Sequence, residues 1–298
     1  MRNDSPPGRD ADALRHHYLV ERDLADRLRR AAPADRKALY RTVYNELFAR
    51  VPDHPQNVWK ASPEQTRARV AQQLRLLRPF LTADDTFLEV GAGDCSLTMA
   101  AATGVRQAFG VDISDIIAAG DARPENFELL ISDGTGLPVP DDSIDVAYTR
   151  MLVEHLHPDD AAEHFREVCR VLAPGGVYVC ESPHLYTGPQ DVSQFFDDVA
   201  TGFHLKEYTF REMRRALRAA GFADTRLRFW LRGRTYPFPR WLAHGFERAL
   251  GLLPARARRR VAGNRLFRLA FTTIVIVGRK APAATTSGRS PVVSGAAA

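Results

Sequence analysis

Glu89-Val90-Gly91-Ala92-Gly93-Asp94 sets two glycines one residue apart behind a short apolar run. Without side chains there, the backbone can approach a ligand closely where a strand turns into a helix. A carboxylate two residues ahead of that turn suits a ligand with a cationic or amine end. Gly110-Val111-Asp112-Ile113 ends a second apolar run on an acidic residue. Such a residue can accept both hydroxyls of a ribose, or it can cap the helix that follows. Ser132-Asp133-Gly134 and Arg150-Met151-Leu152-Val153-Glu154-His155 close a third and a fourth run in the same manner.

The elements around these segments alternate. Helical periodicity is read over 14–30, 35–50 and 63–78, where Ser62, Pro63 and Gln65 form a start signal with a first-turn proline and a capping-box partner. Strands are read at 86–90, 107–111, 127–131, 144–149, 177–180, 227–231 and 271–277, and helices from Ser96, over 159–172 and over 209–221. That alternation predicts an α/β fold, a doubly wound, mostly parallel seven-stranded sheet. Sheets of this kind bind ligands beyond the carboxyl ends of their strands, which is where all four segments fall. The expected organisation is a tail over 1–13, an N-terminal helical segment over 14–79, one domain over 80–280 with a basic helical insertion at 232–270, and a second tail over 281–298.

A nicotinamide dinucleotide fingerprint wants a third glycine where Ser96 stands, and Glu89 interrupts its apolar strand. The ordered series of strand ends, closing with Arg170-Val171-Leu172-Ala173-Pro174-Gly175-Gly176, instead resembles the class I S-adenosylmethionine-dependent methyltransferases, especially the branch of ubiquinone and menaquinone biosynthesis, over roughly residues 70–230. The resemblance implies S-adenosyl-L-methionine as cofactor. It places Glu89, Gly91 and Gly93 at the methionine end, Asp112 at the ribose and Asp133 at the adenine amino group, and it adds Ala92, Ile113, Gly134 and Arg150 to the cofactor-binding set. The family has a further glycine where this chain has Cys95, a departure that bears on affinity more than on fold.

For the transfer itself the resemblance implies in-line displacement onto an aligned nucleophile, with a general base where the nucleophile carries a proton. His155, just past the fourth strand, is the first candidate base, with a cofactor-contacting or packing role as the alternative; His184 and His204 are secondary candidates. No Asn-Pro-Pro-Tyr type tetrapeptide and no Pro-Cys pair follows the fourth strand, so DNA is not expected as acceptor. An acidic metal ligand is missing there too, and Cys95, Cys169 and Cys180 have no metal-ligand spacing, so no metal is expected. Small-molecule or lipid-like acceptors remain. An NAD-dependent oxidoreductase and a non-catalytic S-adenosylmethionine-binding module stay open as alternatives.

The net charge of +5 conceals an asymmetry: residues 81–200 carry 22 acidic and 5 basic side chains, whereas residues 226–280 carry 14 basic ones and only Glu247. The basic end lacks an aromatic-plus-basic module for RNA. Trp241, Leu242, Phe246, Ala249, Leu250 and Leu253 are read as the apolar face of a helix followed by an arginine cluster, which suits either packing over the sheet edge or peripheral contact with an anionic membrane through residues 239–270. The start of the chain has no export signal and no stretch approaches the roughly 18 apolar residues of a spanning helix, so a cytoplasmic location is expected. The aromatic-rich stretch 182–208 is long for a connection and is read as a binding lid or a packed excursion.

Overall fold

A computed structural model describes residues 9–58, 62–114, 123–264 and 272–283. Four helices come first: α1 (Ala11–Arg30), α2 (Pro33–Arg50), the single turn α3 (Pro55–Val58) and α4 (Pro63–Leu77). The expected capping box starts α4. Ser62 Oγ accepts from Gln65 N at 3.2 Å while Ser62 N donates to Gln65 Oε1 at 2.9 Å. Helix α1 begins at Ala11, inside the segment read as a tail, and Arg9 donates to Asp53 at 2.7 Å.

The remaining elements are β1 (Thr86–Val90), α5 (Ser96–Ala102), β2 (Gln107–Asp112), β3 (Phe127–Ile131), β4 (Ile144–Arg150), α6 (Pro158–Val171), β5 (Leu172–Pro183), α7 (Phe210–Ala219), β6 (Asp224–Leu231), β7 (Arg234–Phe238), α8 (Arg240–Gly251), α9 (Ala255–Ala262) and β8 (Thr273–Arg279). They build one sheet in the order β3-β2-β1-β4-β5-β8-β6-β7. Strands β1 to β5 pair in parallel, and β8, β6 and β7 join them through antiparallel ladders. The order reverses between β1 and β4, and the crevice at that reversal is where an open α/β sheet receives its ligand. Alternate strand residues serve the two layers. Leu88, Val111, Tyr178 and Ile276 pack with α1, α2, α6 and α7, while Phe87, Val146, Val179 and Val275 pack with α4 and α5.

The sheet has eight strands and is mixed, not seven-stranded and mostly parallel. The additional strand is β7, at the start of the stretch read as a helical insertion. Arg232 and Gly233, at φ 49° and 74°, make the two-residue turn that folds it back on β6. Pro237 hides it in the sequence, since proline argues against a strand except at an edge, where β7 lies. The arginine cluster that follows α8 lies largely on a second helix, α9, with Ala262 buried. The end of the insertion, 265–270, the first residue of the last expected strand, Phe271, and the segment 284–298 lie outside the described residues.

Candidate functional site

The glycine turn after β1 carries three residues in the left-handed region: Gly91 at φ 77°, Gly93 at 54° and Cys95 at 59°. Cys95 takes the backbone conformation that a glycine adopts without strain, with its side chain buried next to Gly110. Asp112 ties this turn to β2. Its Oδ2 accepts from Gly93 N at 2.8 Å, and its Oδ1 accepts from the amide and hydroxyl of Ser114. Glu89 is buried and accepts from Thr98 Oγ1 at 2.5 Å; burial pushes its carboxyl up to about 8.

Two recesses meet over this turn. One of about 460 Å3, against α4, is bordered by Gln73, Glu89, Gly91, Ala92, Gly93 and Arg150. The other, a cleft of about 620 Å3, runs past Gly91, Asp112, Ile113, Ser132, Gly134 and Arg150 and is roofed by Tyr40, Tyr44 and Phe48 of α2. Asp133 stands apart from its neighbours. Its carboxylate accepts from Lys37 at 2.6 Å and from the amides of Thr135 and Gly136. Burial alone would raise this carboxyl, but the Lys37 bond and the two amides hold it well below its ordinary range. At that point the cleft wall is formed by Ser132, Gly134 and Thr135.

Beyond Tyr44, His155 and Phe203 the cleft adjoins a cavity of about 350 Å3, bordered by His17, Glu21, His54, His155, Asp191 and His204. It forms because α1 holds the stretch after β5. Phe203 N donates to Glu21 at 2.9 Å, Arg29 donates to the carbonyls of Thr201 and Gly202, and Tyr18 donates to Asp197 at 2.7 Å. Residues 184–208 are thus a packed excursion along the cavity wall.

The three candidate histidines separate here. His184 is fully buried, donates to Glu247 at 3.0 Å and accepts from Tyr186 N, so it joins α8 to the sheet and borders neither recess. His155 borders both spaces. Its Nδ1–H is shared between the Phe203 carbonyl at 3.1 Å and the Tyr44 hydroxyl oxygen at 3.2 Å, and burial drives it down to about 3. His204 donates from Nδ1 to Glu207 at 2.8 Å. Burial opposes its charge, but the Glu207 bond and the fields of Glu154 and Asp191 outweigh that and raise it.

Residues 88–180 match the methyltransferase domain family. The chain is 32% identical over 136 residues to a "probable S-adenosylmethionine-dependent methyltransferase" of Mycolicibacterium smegmatis, covering 45% of this chain and 51% of that one. It is 32% identical over 149 residues to one of the same description from Mycobacterium tuberculosis, covering 50% and 52%. The chain therefore spans about half the length of these curated relatives. A solved S-adenosylmethionine-dependent methyltransferase of Archaeoglobus fulgidus superposes with a TM-score of 0.49 at 19% identity, over 72% of this chain and 94% of that one.

The site contains functional candidates that the sequence does not single out. Glu154 is fully buried, accepts from Ser182 through Oε2 and has no partner for Oε1 among the described residues; burial raises it to about 7. Glu207 follows His204 by three residues, a spacing that could have marked the pair. His17, Glu21 and His54 come from elements outside the matched segment, and only the fold brings them to the cavity. Glu154, His155 and His204 present ligand atoms within 4.8 Å of one another, as do His17, Glu21 and His54. Arg9 donates to His17 Nδ1 at 2.9 Å, which opposes a cation at the second group.

Proposed function

We propose that the protein transfers a methyl group from S-adenosyl-L-methionine to a small-molecule or lipid-like acceptor held in the histidine-lined cavity, with His204 as proton acceptor. The observation that carries this reading is the junction of cleft and cavity at Tyr44, His155 and Phe203. The residues fit the cofactor: a buried carboxyl at Glu89 suits an amine, Asp112 lies where a ribose would meet β2, and Gly91 and Gly93 admit a close backbone approach. When bound, the sulfonium supplies an electrophilic methyl group, which needs only an aligned lone pair. Alignment of this kind can be worth about 7 to 11 kcal/mol. The descriptions of the mycobacterial relatives support the activity, and the resemblance of the strand-end series to the quinone-biosynthesis branch supports the lipid-like end of the acceptor range.

The chain's own residues divide the work. Tyr44 and Phe203 line the junction of the two spaces. His155, neutral at working pH, is held by the Phe203 carbonyl. With Nδ1–H committed to Glu207, His204 keeps the lone pair on Nε2 to take the proton of an O–H or N–H acceptor.

Calorimetry with S-adenosylhomocysteine tests the cofactor. Binding is expected, and Asp112→Ala should weaken it by about 1.5 to 3 kcal/mol per charge-assisted bond lost. Unchanged affinity in a folded Asp112→Ala protein, or preference for NAD, would sink the assignment. Production of S-adenosylhomocysteine in a cell extract, dependent on the protein, separates an enzyme from a binding module.

A further inference from the structure

The apolar face expected on α8, Trp241, Leu242, Phe246, Ala249, Leu250 and Leu253, is not the face that the fold buries. Ala243, Glu247 and Leu250 form the buried row. Glu247 faces inward because it accepts from His184 Nε2 at 3.0 Å and from the first amides of α7, Phe210 N and Arg211 N. A buried carboxylate that receives helix-start amides and an imidazole N–H is well placed electrostatically. Consequently the one acidic residue between Arg232 and Asn264 is withdrawn from the surface.

What remains outside is apolar or positive. Trp241 and Leu252 are 77% and 83% exposed, and Trp241, Gly245, Arg248 and Leu252 follow one another at helical spacing. That row is about 16 Å long. Beside it Arg240 and Arg248 of α8 and Arg256 and Arg260 of α9 are exposed, and among the described residues none of their guanidinium groups forms a hydrogen bond or ion pair. Arg258 and Arg259 differ: Arg258 lies over the Tyr186 ring and Arg259 donates to the Asp198 carbonyl at 2.7 Å, so both hold α9 to the body of the protein.

We propose that this face, the outer row of α8 with the start of α9, docks the protein on anionic lipid membranes. A helix lying in the interfacial plane, with a tryptophan and a leucine directed outward among arginines, meets both requirements of such a surface: apolar insertion and attraction to acidic headgroups. A protein partner would call for a contiguous apolar centre, whereas Trp241 and Leu252 stand at opposite ends of the row with Gly245 and Arg248 between them. A nucleic acid would use the arginines and could stack on Trp241, but it has no use for an exposed Leu252. The surface is separate from the cofactor cleft, so the proposal stands or falls independently of methyl transfer.

Co-sedimentation of the full chain with phosphatidylglycerol–phosphatidylcholine vesicles, and with phosphatidylcholine alone, tests it. Binding is expected only to the anionic vesicles and should weaken at high salt. Each of Arg248→Gln, Arg256→Gln and Arg260→Gln should lower the partition coefficient about fivefold. Trp241→Ala with Leu252→Ala should lower it as well without a change in melting temperature. Quenching of tryptophan fluorescence by brominated phosphatidylglycerol should disappear in Trp241→Phe. No binding to anionic vesicles at low salt overturns the proposal. So does binding that survives loss of both Trp241 and Leu252, tighter binding to RNA lost in the same arginine variants, or a dimer that Trp241→Ala dissociates.

Discussion

His204 Nδ1 stands 2.8 Å from Glu207 Oε1, and that contact fixes which nitrogen of the imidazole keeps its lone pair. Glu207 is itself held, since its Oε1 also accepts from Gln190 N at 2.7 Å. Replacing Glu207 by Gln removes the carboxylate that helps raise His204, so the acid limb of the kcat/KM profile should move to lower pH and kcat should fall. His204→Ala should cost about 10² to 10⁴ in rate. The native pair should also be visible in stability. A histidine raised on folding stabilises fully below its ordinary value of 6.5 and loses that contribution as pH rises through the raised value, so melting temperature should lose this increment above 6.5 and Glu207→Gln should flatten the change. His155, driven down to about 3, provides the contrast: His155→Ala should slow transfer and leave the acid limb in place. If the limb disappears with His155 and stays with His204 removed, the roles are reversed.

Glu89 predicts how cofactor binding responds to pH. With its carboxyl raised to about 8 by burial, the group is neutral at pH 7 and must ionise to meet an amine. Affinity for S-adenosylhomocysteine should therefore rise with pH, about tenfold per unit below 8, and level off above it. The sign for folding is the opposite. Because the carboxyl is raised above its ordinary 4.5, its contribution to stability is lost as pH rises from that value through about 8. Isothermal titration at pH 6, 7, 8 and 9 measures the first effect, and Glu89→Gln should abolish the slope. A pH-independent affinity in the unmodified protein would place the amine elsewhere.

The roof over the cleft depends on a buried ion pair. Arg36 donates to Asp160 through Nε at 2.6 Å and through a terminal nitrogen at 2.7 Å, and Tyr40 Oη donates to the same carboxylate at 2.8 Å. This fastens α2 to α6. Asp160→Ala leaves the Arg36 guanidinium, its side chain 3% exposed, with only the Ala31 carbonyl at 2.9 Å and the Asp159 carboxylate at 4.0 Å, and should cost more in urea unfolding than a surface pair such as Arg27 with Glu46, which should cost under about 1 kcal/mol. Burial opposes ionisation of Asp160, but the bonds from Arg36 and Tyr40 hold it below 3.8. Its contribution is therefore present above that value and lost as pH falls through the lowered one. An Asp160→Ala protein as stable as the parent would show that α2 is held by apolar packing alone.

Local patterns carried most of the fold and the turns that border the cleft. The capping boxes at Ser62 and Thr209, the short apolar runs of β1, β2, β3 and β4, and the glycines at 91 and 93 are signals within a few residues of chain, and each places an element. What escaped depended on distance or on a competing rule. Glu247 reads as the polar side of an amphipathic helix, and only its pairing with His184 and the start of α7 shows why it turns inward. β7 contains Pro237, which masks a strand everywhere except at a sheet edge. The cavity joins His17 and His54 to His204 across some 150 residues, so no spacing rule could assemble it. His155 and His204 carry the same ring; Glu207 and burial give them opposite shifts.

Gly188 offers a test of the proposed role of the His204–Glu207 pair that leaves every polar side chain in place. A Cβ added at Gly188 would run into the Glu207 carboxylate, against Oε2, Cδ and Oε1 together. Gly188→Ala must therefore displace Glu207 from His204 or push apart the excursion that holds both. The expected outcome is a folded protein of lower melting temperature whose pH–rate profile resembles that of Glu207→Gln. Gly245→Ala is the control, because its Cβ meets nothing within 4 Å in the middle of α8. That change should stabilise by about 0.5 to 1 kcal/mol through helix propensity and leave the profile unmoved. A Gly188→Ala protein with the parental profile and undiminished rate would mean that Glu207 can leave His204 without consequence, and the base assignment would fall with it.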